Sequence, residues 1–150
     1  MNRSVTRAAV SVLVFSFAGF FTAVAADPTS PKPGAVQQNR LVMQVSDSDP
    51  AKWNLALNNM TNVQQDLGKG NVEVEIVVYG PGIGMLKMDS VVGNRIADAM
   101  ASGVKIVACE NTMHNLKLTR QDMLDAISYV PAGVVELMRK QQQGWAYVRP

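Results

Sequence analysis

The sequence predicts an α/β fold with three layers, in which a mostly parallel five-stranded sheet carries helices on both faces. Short runs rich in Val and Ile alternate along the chain with segments whose apolar residues recur at helical spacing. Gly and Pro separate many of these segments and mark turns. Strands that alternate with helices indicate a parallel sheet whose crossover helices cover both of its faces.

The first half of this domain contains two predicted strands with a helix between them. The strands cover residues 40–45 (RLVMQV) and 71–79 (NVEVEIVVY). Asp49 suits the N-cap of the intervening helix, and Pro50 suits its first helical position. Apolar residues then recur at helical spacing until Gly68, which ends the helix.

The second half continues the alternation with shorter elements. In order, we predict a helix over 91–102, a strand over 104–109, a loop over 110–118, a strand over 126–130, a helix over 131–143 and a strand over 145–148. Thr119 and Asp122 are spaced as in a capping box, which predicts a short helix between the loop and the fourth strand.

Residues 1–25 have the pattern of a secretory signal peptide. Arg3 and Arg7 make a basic start, residues 8–21 are apolar and uncharged, and residues 23–25 form an A-x-A cleavage site. The apolar run is short for a membrane span, which needs roughly 20 residues. We therefore expect cleavage, no stable membrane anchor afterwards, and a periplasmic or secreted protein.

The segment after the signal peptide and the charge balance define the rest of the organisation. Residues 26–39 contain three prolines and a glycine, and they predict a flexible linker ahead of a single domain over 40–150. The 14 Lys and Arg residues fall to 12 when Arg3 and Arg7 are removed, which equals the 12 Asp and Glu residues. A neutral chain offers no surplus of cations for phosphates, so no nucleic-acid partner is expected.

Cys109 is the first candidate for chemistry, because it ends a predicted strand at the sheet edge where α/β proteins bind ligands. It is the only cysteine, so it forms no disulfide within the chain, and His114, the only histidine, follows five residues later. A nearby imidazolium would favour the nucleophilic thiolate. The alternative is a buried cysteine that packs as a small hydrophobic residue.

A soft-metal site is a second interpretation of the same region. Cys109, Met113 and His114 lie close together, Met85 and Met88 follow a glycine loop, and thiolate and thioether ligands suit Cu(I). Other methionines fit core positions instead: Met43, Met60, Met100 and Met138. Packing is the more ordinary role of methionine at such spacing, so no resident metal or cofactor is expected.

The glycine loop Gly80-Pro81-Gly82-Ile83-Gly84 follows the second predicted strand. It lacks the Lys-Ser/Thr ending of a P-loop, and Lys87 occupies the place of the last glycine in a dinucleotide fingerprint. Its glycines predict a turn with positive φ or a close approach of two backbones. Nucleotide binding is not supported by this pattern.

Several stretches together resemble the DsrE/DsrF-like family, whose fold is also described as DsrE/YchN-like. They are LVMQVSDSDPAKWNLALNN, VEIVVYGPGIGML, the cysteine-bearing VKIVACENTM and the tail ISYVPAGVVELMRKQQQGWAYVRP. The resemblance implies a compact α/β domain and a homo-oligomer, either a trimer or a hexamer. Understood members carry sulfane sulfur as a cysteine persulfide, and Cys109 matches that cysteine.

On this resemblance, the expected function is binding or transfer of sulfane sulfur through Cys109 in an exported protein. Asn111, Thr112 and His114, with Gly80 and Gly82, are the expected substrate-binding residues. A thiol or sulfur-carrier protein is the expected partner, and any activity would be that of a sulfur carrier or transferase rather than a hydrolase or oxidoreductase. The alternatives are a non-catalytic oligomeric binding module and a periplasmic Cu(I) binder.

Overall fold

A computed structural model of the protein describes residues 39–150, so the predicted signal peptide and nearly all of the predicted linker lie outside the described residues. Five strands form one sheet: β1 (Asn39–Val45), β2 (Val72–Val78), β3 (Lys105–Cys109), β4 (Ser128–Val130) and β5 (Ala146–Val148). Their order is β4-β3-β2-β1-β5, and every pair of neighbouring strands is parallel. No helix within residues 39–150 is long and apolar enough to cross a membrane.

Four α-helices connect these strands. They are α1 (Pro50–Leu67), α2 (Gly93–Ala101), α3 (Glu110–Asn115) and α4 (Gly133–Gln142). Short 3-10 helices cover Lys69–Asn71, Gly80–Leu86 and Arg120–Asp122. The predicted alternation of strands and helices is confirmed, and most boundaries agree within two residues.

Local sequence signals explain where α1 begins and ends. The Asp49 side chain accepts a hydrogen bond from the backbone N–H of Ala51 at 2.8 Å, which satisfies one of the free amides of the first turn. Gly68 ends the helix with φ of 86°, a conformation that glycine adopts without steric cost. The Thr119–Asp122 capping box is also formed as the spacing predicts.

The loop predicted over 110–118 is wrong, because α3 occupies its first six residues. Six residues are too few to show a helical period in the sequence. The helix is anchored by Met113, which is buried in the main core, and Cys109 precedes it in an extended conformation. The residue at the end of β3 is therefore also the residue that caps α3.

The two faces of the sheet are covered by different helices, as expected for three layers. The main core includes alternate residues of β1 and β2 together with the inner sides of α1 and α2: Leu41, Met43, Val74, Ile76, Trp53, Leu57, Met60, Ile96 and Ala99 are among its members. The opposite face carries a smaller cluster under α4, formed by Val42, Val77, Val107 and Leu137. We call this second surface the α4 face.

One buried charge lies on the α4 face. The carboxylate of Glu75 is fully buried, and its Oε2 lies 2.8 Å from Nζ of Lys140 and 3.1 Å from Nζ of Lys105. The Lys140 ammonium also stands 4.1 Å from the centre of the Trp145 ring. Helix α4 is thus held to the sheet by an ion pair as well as by Leu137.

The methionines predicted to pack in the core do so in part. Met43 and Met60 are buried, and Met100 packs against the core from its edge. Met138 instead exposes about half of its surface on α4. Because α4 buries only a narrow stripe against the sheet, a residue one position beyond Leu137 faces solvent.

Candidate functional site

The strand register places four residues side by side at the carboxyl edge of the sheet. Val45 pairs with Val78, Val78 with Ala108, and Cys109 with Val130. The positions one residue beyond β1 and β2 are Ser46 and Tyr79, and alternation puts both on the α4 face with Cys109. Parallel strands thus deliver Ser46, Tyr79, Cys109 and Val130 to one row, as expected for an α/β site.

Hydrogen bonds join the loops that leave these strands. The Gly82 N–H donates to the Ser46 carbonyl at 3.1 Å, and the Gly80 N–H donates to Oγ1 of Thr112 at 2.9 Å. The Asn111 N–H donates to the carbonyl of Pro131 at 3.1 Å. The predicted loop after β2 and the segment after β3 are therefore in direct contact beside Cys109.

The Cys109 thiol lies under the segment that leads into α4. The residue is 5% exposed, and its Sγ is 4.0 Å from the carbonyl oxygen of Pro131. Burial acts to raise the pKa of this thiol. Hydrogen bonds from the Thr112 hydroxyl and from the backbone N–H groups of Gly133, Thr112 and Asn111 outweigh burial, so the pKa of Cys109 lies below its ordinary value.

These hydrogen bonds favour the thiolate form of Cys109, while its burial limits the access of other molecules to the sulfur. The donors belong to α3 and to the start of α4, and their hydrogen bonds stabilise negative charge on the sulfur. The thiolate is the nucleophilic form of cysteine. Cys109 is consequently suited to attack a small sulfur or carbon electrophile that reaches the carboxyl edge.

Replacing Thr112 with valine is expected to raise the pKa of Cys109. At neutral pH the rate of alkylation by iodoacetamide should fall by about an order of magnitude, because a hydrogen bond to a charged group contributes about 1.5 kcal/mol or more. Since a lowered pKa keeps the thiolate to lower pH, the rate profile of Thr112→Val should shift toward higher pH. The measurement is the alkylation rate across pH, followed by intact mass.

Thr112→Ser is the matched control, because it keeps the hydroxyl that contacts Cys109 and accepts from Gly80. Its rate profile should stay with that of the parent protein. Identical profiles for Thr112→Val and the parent would show that the hydroxyl does not stabilise the thiolate.

The structure places the remaining predicted site residues differently. His114 lies exposed in the last turn of α3, and it is not among the groups that lower the pKa of Cys109. Gly82 packs against β1: a Cβ there would stand 2.7 Å from the carbonyl oxygen of Val45. Thr112, Asn111 and Gly80 are the predicted residues that lie next to the thiol or to its hydrogen-bond partner.

Sequence reasoning missed two residues that shape the site. Gly133 supplies a backbone N–H to Cys109, and a Cβ on it would stand 3.1 Å from Cβ of Tyr79. Tyr79 therefore packs directly over the turn that covers the thiol. Tyr79 could have been identified from the sequence, because it lies at the end of a predicted strand and directly before a glycine loop. The Gly133 contact could not, because it is made by a backbone amide.

A polar network extends from Tyr79 away from Cys109. The Tyr147 hydroxyl donates to Oε1 of Gln44 at 2.5 Å, and Nε2 of Gln44 donates to Oγ of Ser46 at 3.0 Å. Burial raises the pKa of the Tyr79 phenol and Tyr147 adds to this, while Arg149 and Ser46 act in the opposite direction. The phenol consequently stays protonated at neutral pH and can donate a hydrogen bond.

Possible metal ligands are dispersed across the described part of the chain. Among residues 39–150, no group of three or more His, Cys, Asp or Glu side chains is placed to hold a metal ion. Met85 and Met113 are buried members of the main core, and Met88 is largely exposed. The thioethers considered for Cu(I) therefore serve packing or face solvent.

An all-parallel five-stranded α/β domain with a cysteine at the end of its third strand defines the class of protein. The family model for the DsrE/DsrF-like family matches residues 40–150. The chain belongs to the DsrE/DsrF-like family. None of the curated proteins matches it.

Solved structures share this fold. The protein of unknown function MTH1491 from Methanobacterium thermoautotrophicum is 31% identical, with a TM-score of 0.72 over 75% of this chain and 99% of that one. BT1422 from Bacteroides thetaiotaomicron, also of unknown function, is 16% identical, with a TM-score of 0.60 over 75% and 95%. The ychN protein from E. coli is 9% identical, with a TM-score of 0.60 over 75% and 99%. The last two likenesses concern the fold alone.

Proposed function

We propose that the protein accepts and passes on sulfane sulfur as a persulfide on Cys109. The observation that carries this proposal is the position of Cys109 at the carboxyl edge of the sheet and at the start of α3, where hydrogen bonds from Thr112 and nearby amides lower the pKa of its thiol. Membership of the DsrE/DsrF-like family supports it. Thr112 and the amides of Asn111 and Gly133 stabilise the thiolate, and the loop at Gly80 positions Thr112.

The chemical steps balance without an added oxidant. The Cys109 thiolate attacks the outer sulfur of a donor, a new S–S bond forms, and the donor's bond to that sulfur breaks with its electron pair on the leaving group. An acceptor thiolate then attacks the terminal sulfur of the persulfide, and Cys109 leaves as a thiolate. The donors around Sγ favour this second step, because they stabilise the leaving thiolate.

Incubation with thiosulfate or polysulfide is expected to add one sulfur atom to the protein, and Cys109→Ala should abolish the addition completely. Because Cys109 is the only cysteine, intact mass before and after reductant identifies the site without digestion. The reductant should restore the parent mass. Thr112→Ser serves as the matched variant that retains the hydroxyl and should still gain sulfur. A folded protein that gains no sulfur from any donor would rule the proposal out.

A non-catalytic binding module is the second candidate, and the 5% exposure of Cys109 is the observation that favours it. In that case Cys109 is a packing residue beneath the segment from Pro131 to Gly133. Alkylation would then be negligible in native protein and rapid in denaturant. A carrier instead requires measurable native alkylation, because both a sulfur donor and an acceptor thiol must reach Cys109 in the folded protein.

Compartment and assembly form part of the proposal. The pattern in residues 1–25 supports export and cleavage after Ala25, and family resemblance supports a homo-oligomer, a trimer or a hexamer. A thiol or sulfur-carrier protein would then be the exported partner. Mass determination of protein recovered from the periplasm tests the cleavage, and light scattering on the same sample gives the number of subunits.

A further inference from the structure

Arg149 lies at the same carboxyl edge as Cys109 without a role in the carrier chemistry. The pairing of β5 with β1 ends at Val148 and Met43, and Arg149 is the next residue, so alternation from Tyr147 puts Arg149 on the α4 face at the carboxyl edge. Cys109 is the last residue of β3 and Arg149 follows β5, with β2 and β1 between these two strands. Tyr79, at the end of β2, occupies the intervening position.

The spacing of the strands limits how far apart these residues are. Burial raises the pKa of the Tyr79 phenol, Tyr147 and Cys109 raise it further, and the charge of Arg149 and a hydrogen bond with Ser46 act to lower it. Neighbouring strands are about 4.8 Å apart, so the backbones of β3 and β5 are separated by about 14 Å. The guanidinium of Arg149 covers part of this distance, because its Nη2 lies 3.5 Å from Asp47, which follows β1, and β1 is two strand spacings, about 10 Å, from β3.

The charge of Arg149 is only weakly engaged. Its Nη2 lies 3.5 Å from Oδ2 of Asp47, and the two side chains are 53% and 41% exposed. Exposed ion pairs at such distances contribute little, so the guanidinium can exchange this partner for a ligand. Guanidinium groups bind oxoanions through paired N–H donors.

We propose that Arg149, with the hydroxyl of Tyr79, forms an oxoanion subsite that recognises the anionic end of a thiosulfate-type sulfur donor. This inference rests on the carrier role proposed for Cys109. The outer sulfur of the donor faces Cys109 and its sulfonate faces Arg149. The thiolate attacks the outer sulfur, the Sγ–S bond forms, the S–S bond of thiosulfate breaks, and sulfite leaves with the electron pair. Total charge is conserved at −3.

Binding is tested in the Cys109→Ala protein, where transfer cannot occur. Thiosulfate titrated into it by calorimetry should bind, and Arg149→Gln in that background should weaken binding at least tenfold. Arg149→Lys should restore part of the affinity, and Asp47→Asn should tighten binding several-fold because it removes the competing carboxylate. Arg139→Gln is the matched control, since it removes the same charge from an exposed position on α4. It should leave the affinity unchanged.

Transfer is measured separately in protein that retains Cys109. The rate of sulfur addition from thiosulfate should fall at least tenfold in Arg149→Gln and stay unchanged in Arg139→Gln, with circular dichroism to verify folding of each. Absence of thiosulfate binding, or binding and transfer insensitive to Arg149→Gln, overturns the subsite. Arg149-dependent binding without sulfur addition overturns the carrier role and leaves the subsite standing, so the two failures are distinguishable.

Discussion

Replacing Glu75 with glutamine is expected to destabilise the protein by about 3 to 5 kcal/mol, the usual cost of removing one partner from a buried ion pair. Its carboxylate lies 2.8 Å from Nζ of Lys140, whose side chain is only 14% exposed. A neutral amide leaves that ammonium, between the sheet and α4, with only the more distant carboxylate of Glu136, whose Oε1 lies 3.8 Å away. The free energy of unfolding in urea, read by circular dichroism, gives the difference.

Two further variants make this expectation specific. Glu73→Gln removes the same charge from an exposed position of β2 and should change stability by about 0.5 kcal/mol or less. Glu75→Leu combined with Lys140→Met replaces the pair by apolar side chains and should recover most of the lost stability. Equal stability of Glu75→Gln and Glu73→Gln would mean that the buried pair does not hold α4.

Replacing Gly82 with alanine is the second change with a large expected effect, about 3 kcal/mol of destabilisation. The new Cβ would stand 2.7 Å from the carbonyl oxygen of Val45 and 2.9 Å from Cα of Ser46. Both are backbone atoms, so the end of β1 or the 3-10 helix must shift. Thermal unfolding measures the loss.

Gly80→Ala in the same loop tests the cost of a left-handed backbone conformation without the steric clash that Gly82→Ala introduces. Gly80 has φ of 54°, yet no atom lies within 4 Å of an added Cβ. Its cost is only that of a left-handed residue, about 1 to 2 kcal/mol. A larger loss for Gly80→Ala than for Gly82→Ala would contradict the close approach of the loop to β1.

The fold follows from the sequence because each of its long elements carries its own signal. Asp49, Pro50 and Gly68 mark both ends of α1, and the apolar runs of β1 to β3 are typical of strands covered on both faces. Helix α3 carries no such signal. Six residues show no period, and its stability comes from Met113 in the core, a tertiary contact that sequence patterns do not report.

The sequence predicts the sheet edge at which the site lies, but it does not predict all of the groups that hydrogen-bond to Cys109. Cys109 ends a strand, and Thr112, Asn111 and Gly80 follow strands, whose carboxyl ends must meet at one edge of a parallel sheet. The amide of Gly133 comes from a helix 24 positions later and depends on how α4 packs. His114 is close to Cys109 in sequence but lies in the last turn of α3, so closeness in sequence did not place it at the thiol.

The position of β5 beside β1 sets the order in which the sheet can close. Residues 146–148 pair with residues 41–43, so the outer edge of β1 stays open until the C-terminal strand is in place. Pairings so distant along the chain close slowly. Arg149 follows β5 directly, which makes the oxoanion subsite the last part of the carboxyl edge to assemble. A nascent or truncated chain would therefore carry Cys109 without the residue that we propose selects its donor.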